Sequence, residues 1–175
     1  MTAPHFRLRT CTAENAPLIS LVAGAAFLEA FAGILDAADI VQHCQRNNSP
    51  EAFAKYLMQP TARCVVAEAE PGGAPVGYML TCEPDLPVER APADYELRRI
   101  YLLHRFQGLG IGKALMDAAV DAARELGRAR LLLGVYGKND AAISFYQRAG
   151  FAVVGERYFT VGVTTHHDLV MARSV

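Results

Sequence analysis

An α/β fold is predicted by three features of this 175-residue chain. Short stretches with the two-residue alternation of strands are separated by longer ones with the 3.6-residue recurrence of helices. These stretches follow one another as β-α-α-β-β-β-α-β-α-β-β. The strand at 130–136 is so continuously apolar that both its faces should be covered. With 52% hydrophobic and 20% charged residues, the chain has the size and make-up of one domain, 1–175, with a substantial core.

The first strand, Phe6 to Thr10, alternates Phe6 and Leu8 with Arg7 and Arg9 and should lie near a sheet edge. Thr12 or Asn15 caps the next helix, Pro17 falls in its first turn, and Leu18, Leu21, Val22 and Ala25 carry it to about Phe31. After Gly33, residues 35–45 and 49–58 read as a helical region broken near Asn47-Asn48 and restarted by Ser49 and Pro50. Val65 to Ala67 and Val76 to Cys82 form a hairpin across the turn-rich Glu70 to Pro75, and Glu83 to Asp94, with three prolines, is a loop. A strand at 95–102 leads through a glycine-rich turn into a helix ending near Leu126. The strand at 130–136 precedes a helix capped by Asn139 and closed by Gly150, with Ala142, Phe145, Tyr146 and Ala149 on one side. Two last strands cover 151–157 and 167–172.

The formal net charge of −1 and the lack of a basic stripe give no electrostatic reason to expect nucleic acid or a membrane as partner. No stretch reaches roughly 18 apolar residues, and MTAPHFRLRT lacks a signal-peptide run, so a cytoplasmic protein is expected. Cys11, Cys44, Cys64 and Cys82 are widely spaced and read as reduced thiols, with no metal cluster. His166 and His167 are adjacent in a strand and point to opposite faces, so they do not chelate together.

The turn Gln107-Gly108-Leu109-Gly110-Ile111-Gly112-Lys113 leaves backbone N–H groups uncovered where a helix begins, an arrangement that attracts phosphate. A Walker A loop is excluded, because Gln107 replaces its first glycine and Ala114 lacks the hydroxyl for magnesium. A dinucleotide fingerprint fails because Lys113 occupies the third glycine's place.

The turn instead resembles the Gln/Arg-x-x-Gly-x-Gly/Ala pattern of the GCN5-related N-acetyltransferase (GNAT) superfamily, through Gln107, Gly110 and Gly112. Asn139, Ala142, Phe145-Tyr146 and Gly150-Phe151 are similar to its second signature, and the two together cover about the second half of the chain. The tail Tyr158 to Gly162 with Asp168 to Met171 is similar to bacterial polyamine or diamine acetyltransferases. The resemblance implies a mixed sheet splayed between the strands at 95–102 and 130–136. It also implies acetyl-CoA as co-substrate, with coenzyme A along the main chain of Ile100, Leu102 and Leu103, its pyrophosphate on residues 107–113, and Asn139 and Tyr146 against it.

Acetyl transfer to a primary amine of pKa about 10.4 needs a base, since about one molecule in a thousand is unprotonated at pH 7. The resemblance places a base, acting through water, at Glu96, and Tyr146 as donor to the departing thiolate. The cysteines lie outside both signatures, so direct attack in a ternary complex is expected rather than a covalent intermediate. The expected acceptor is a small-molecule amine, with a polyamine held by Glu29, Asp36 and Asp39 as its most specific form. A protein or peptide acceptor, a non-catalytic acyl-CoA sensor and a homodimer stay open.

Overall fold

The computed structural model describes residues 5–161 and 163–175. Gly162, the end of the Tyr158–Gly162 stretch, and the first four residues of the N-terminal segment lie outside them. The elements are β1 (Phe6–Thr10), α1 (Ala16–Phe31), α2 (Ala37–Asn47), α3 (Pro50–Leu57), β2 (Arg63–Ala69), β3 (Ala74–Cys82), β4 (Asp94–Leu102), α4 (Ile111–Glu125), β5 (Arg130–Tyr136), α5 (Asp140–Arg148), β6 (Ala152–Val161) and β7 (Thr164–Ser174). The predicted order holds, with the helical region after Gly33 forming two helices, α2 and α3.

Among the described residues, the strands form one seven-stranded mixed sheet in the order β1-β2-β3-β4-β5-β7-β6. β4 and β5 pair parallel, and the other neighbours pair antiparallel. β1 is an edge strand, as its short alternating sequence suggested. Its Arg7 and Arg9 side chains both reach Glu68 on β2, at 2.6 and 2.7 Å.

Local signals explain the helix boundaries. The Asn15 side chain accepts from the Thr12 N–H before α1, whose Ile19, Val22, Ala23, Ala26 and Phe27 recur at helical spacing and are buried. α1 stops before Gly33, whose φ is +82°, and the helical region that follows breaks at Asn48 into α2 and α3. Ser49 accepts from the Ala52 N–H and Pro50 opens α3, while Asn139 accepts from the Ala142 N–H to start α5.

On one face of the sheet, α4 and α5 bury Ile111, Leu115, Ala119 and Tyr146 against Met79, Tyr95, Leu131, Leu133 and Met171. On the other, α1 and α3 bury Ile19, Val22 and Phe53 against Cys64, Val66, Tyr78 and Leu80. Each fully buried aliphatic or aromatic side chain contributes about 1.5–3 kcal/mol, so these two layers dominate stability. The loop 83–93 drops Leu86 onto Leu132, Val170 and Ala172, covering β5 on its second face.

β6 and β7 run several residues beyond the predicted 151–157 and 167–172. Their extension is a ladder of β-branched and polar pairs, including Thr160 and Thr165 with hydroxyl oxygens 3.1 Å apart. Such pairs satisfy the backbone without the apolar alternation that marks a strand in sequence.

Candidate active site

β4 and β5 share only the pairs Asp94–Arg130, Tyr95–Leu131 and Glu96–Leu132. Asp94 locks this joint, taking the Arg130 Nε at 2.8 Å and Nη2 at 2.7 Å while accepting from the Ala91 N–H. Past Glu96 the strands part, and the splay expected between 95–102 and 130–136 is present. The gap widens toward the C-terminal ends of both strands, where α4 and α5 also begin.

The β4 side of the gap is a strand edge with no neighbouring strand among the described residues, where the Leu102 carbonyl accepts from Gln107 Nε2 at 3.4 Å. The Leu103 N–H donates to Val76 O at 2.9 Å, and antiparallel alternation then turns the main-chain groups of Ile100 and Leu102 away from β3 and into the gap. Leu103 does not offer the pairing expected of it, because its carbonyl also accepts from the Phe106 N–H. The Gln107 N–H is likewise engaged, by His104 O.

The following turn delivers what its glycines promised. Gly108 and Gly110 have φ of +75° and +83°, values that side chains resist, and Gly110 is the N-cap of α4. The first helical bond runs from Ala114 N to Gly110 O, so the N–H groups of Ile111, Gly112 and Lys113 lack helical acceptors. Leu109 is exposed beside them, and the Lys113 ammonium pairs with Asp117 at 2.5 Å. Cβ atoms at Gly108 and Gly110 would meet nothing within 4 Å, so this surface is open to a ligand. The arrangement fits a phosphate-bearing group.

Tyr146 projects from α5 on the same side of the sheet, edge-on to Phe145 and Phe151 with ring centroids 5.5 and 6.0 Å away. Burial raises its pKa, with a further contribution from Tyr101, so it is a neutral phenol at pH 7.

Glu96 lies at the apex of the gap on the opposite face and is 1% exposed. Its carboxylate accepts from the Asp85 N–H at 2.8 Å and pairs with the Arg98 Nε at 3.1 Å. Burial nonetheless raises its pKa, and the nearby charges of Arg98 and Arg157 offset this only in part. Across the gap, Arg157 of β6 pairs with buried Asp168 of β7 at 3.2 Å. Gly134 leaves room for that guanidinium, since a Cβ there would meet it at 2.6 Å. Tyr101 senses Arg99, Asp168 and Arg157, and Tyr146 senses Tyr101. The glycine turn and Tyr146 lie on one face of the split sheet, and Glu96, Tyr101 and Asp168 on the other.

Glu29, Asp36 and Asp39 do not share one helical side, because α1 ends at Phe31 and Asp36 is the N-cap of α2. Glu29 accepts from the His104 N–H at 2.7 Å, and Asp39 lies in the first turn of α2. Arg99, Arg157 and Asp168 were not singled out from sequence as site residues. Asp168 and Arg157 alternate in ordinary strands, and only the β6–β7 register brings them to the gap.

A helix start with free N–H groups, a strand edge and a buried carboxylate thus meet at the split in the sheet. Residues 31–151 match the model of the acetyltransferase (GNAT) family, and the chain belongs to that family of acetyl-CoA-dependent acyltransferases. It is 35% identical over 136 residues to an uncharacterised N-acetyltransferase of Mycobacterium tuberculosis, a match covering 78% of this chain and 82% of that protein. To the N-alpha-acetyltransferase RimI of Mycobacterium tuberculosis it is 34% identical over 114 residues, covering 64% of this chain and 67% of RimI. The fold is similar to that of the PaiA N-acetyltransferase of Thermoplasma acidophilum, solved with coenzyme A, with TM-score 0.76, 20% identity, and 98% and 99% of the two chains covered. The structure of yncA from Salmonella typhimurium, solved with its cofactor acetyl-CoA, has TM-score 0.67 at 19% identity, over 97% and 94%.

Proposed function

We propose that the protein transfers an acetyl group from acetyl-CoA to the primary amine of a small molecule, by direct attack within a ternary complex. The observation that carries this reading is the split beyond Glu96, which gives a cofactor on one face and an amine on the other a common meeting point. Acetyl-CoA supplies the activated acetyl thioester. Ile100 and Leu102 bind its amide-bearing arm as a neighbouring strand would, and the free N–H groups of Ile111 to Lys113 hold its phosphates. Asn139 starts α5 and so positions Tyr146. Glu96 takes the proton from the attacking ammonium through water, and its raised pKa makes it a stronger base than an exposed carboxylate. Tyr146 donates to the sulfur as the thiol leaves.

A cysteine intermediate is unnecessary. Cys82, which pairs with Glu96 in register, has its thiol pKa raised by burial, and Cys64 is raised by its contact with Cys11 and by burial. The polyamine form of this reading has no shared helical side to rest on, because Glu29 lies on α1 and Asp36 and Asp39 lie at the start of α2. A peptide N-terminus is the second reading, favoured by the likeness to RimI. Thiol release from acetyl-CoA with a panel of small amines and amino-terminal peptides tests both. Release with small amines is expected; release with peptides alone would transfer the assignment to a protein acceptor, and coenzyme A binding without any release would mark a sensor.

A further inference from the structure

The charge on the acceptor face of the gap points to a narrower class of substrate. The register pairs Tyr78 with Tyr101, Leu80 with Arg99 and Cys82 with Glu96. Residues two apart on β3 share a face, so Tyr101, Arg99 and Glu96 share one as well. Glu96 and Arg99 are three apart on β4 and would otherwise point oppositely; the register shift at Leu80/Thr81 inserts Arg98 as an extra residue and turns Arg99 to the side of the base.

Arg99 differs from the other arginines near the joint. Arg98 pairs with Glu96, Arg128 with Glu83, Arg130 with Asp94 and Arg157 with Asp168. Among the described residues, no carboxylate comes within 4.0 Å of Arg99, although its side chain is half-buried. Its surroundings are neutral but built: Nη1 donates to Asn48 Oδ1 at 2.5 Å, and the guanidinium lies 5.2 and 6.0 Å from the Phe53 and Tyr56 ring centroids. Asn48 is 4% exposed and anchors its amide on Ala23 O at 3.4 Å. Nearby His43 is kept neutral at pH 7, with a pKa lowered to about 4 by burial and then by Arg99. A half-desolvated cation held by an amide and two rings lacks the counter-charge that usually offsets such burial, and a guanidinium keeps donors suited to a carboxylate.

Resting on the acetyltransferase reading, we infer that the acceptor is an amine that also carries a carboxylate, an amino acid or close derivative, whose carboxylate binds Arg99 while its amine lies toward Glu96.

The test pairs each of several amino acids with its decarboxylated amine and with an aminoalkyl phosphate of similar length, measuring kcat/KM by thiol release in the parent, Arg99→Lys and Arg99→Met. The parent should prefer the amino acid over the decarboxylated amine about 10- to 100-fold, the worth of one charge-assisted pair. That ratio should fall toward one in Arg99→Met and partly recover in Arg99→Lys, with coenzyme A affinity unchanged throughout. Equal kcat/KM for acid and amine in the parent, an unchanged ratio in Arg99→Met, or preference for the phosphate overturns the inference while leaving acetyl transfer standing. Calorimetry of N-acetylated amino acids against the coenzyme A complex reads the same pocket without turnover. Binding lost in Arg99→Met supports the inference even if thiol release fails, and no binding to the parent overturns it.

Discussion

Glu96 and Leu132 form the last rung of the parallel β4–β5 pair, so the candidate base stands where the sheet ceases to be continuous. Its carboxylate is held by the Asp85 N–H and Arg98 rather than by solvent, and its surroundings set its proton affinity. Because burial raises the pKa of Glu96, the ascending limb of kcat against pH should lie above the ordinary carboxylate value of about 4.3. Arg98 favours the ionised form, so Arg98→Met should move the limb to higher pH. Glu96→Gln should lower kcat by about 10²- to 10⁴-fold and remove the limb. A pH–rate series on the three proteins checks both shifts; an unmoved limb in Glu96→Gln would reassign the base.

Gly110→Asp should abolish coenzyme A binding. It places a side chain at φ +83° and a negative charge beside the free N–H groups of α4. Calorimetry on a variant shown to be folded by circular dichroism decides the point, and parental affinity would remove the phosphate site from this turn.

Tyr146→Phe keeps the ring that packs on Phe145 and Phe151, so fold and cofactor affinity should persist. Turnover should fall roughly ten- to a thousand-fold through loss of one donor. Equal turnover would leave Tyr146 as packing alone.

His43 stacks on Phe27 with ring centroids 4.0 Å apart, and its folded pKa of about 4 lies below the ordinary value of 6.5. Between these values the unfolded chain binds a proton that the folded chain does not, so stability should decline as pH falls from about 6.5 to 4. His43→Phe removes this contribution, and its melting temperature should drop less than the parent's between pH 7 and pH 5. Parallel declines in the two proteins would show that other groups govern the acid limb.

The element order, the capping roles of Ser49 and Asn139, and the open glycine turn were legible because each depends on residues close in sequence. What depended on strand register was not. Arg99 joins the face of Glu96 only through a one-residue shift against β3, and Arg157 meets Asp168 only through the β6–β7 pairing. Leu103 looked equivalent to Ile100 and Leu102 until its hydrogen bond to Val76 showed which way the edge faces. Glu29 and Asp36 were expected to hold one polyamine, but one lies on α1 and the other is the N-cap of α2.

Among the described residues, three rungs and an Asp94–Arg130 clasp are all the strand pairing that joins the two half-sheets. A cofactor arm lying along Ile100 and Leu102 would act as a removable eighth strand, bracing both half-sheets at once. Stiffness would then arrive with the first substrate, before the second has a rigid wall to bind against. Such a protein would favour ordered addition, acetyl-CoA ahead of the amine, with the amides of Ile100 and Leu102 passing from rapid to slow hydrogen exchange as the complex forms.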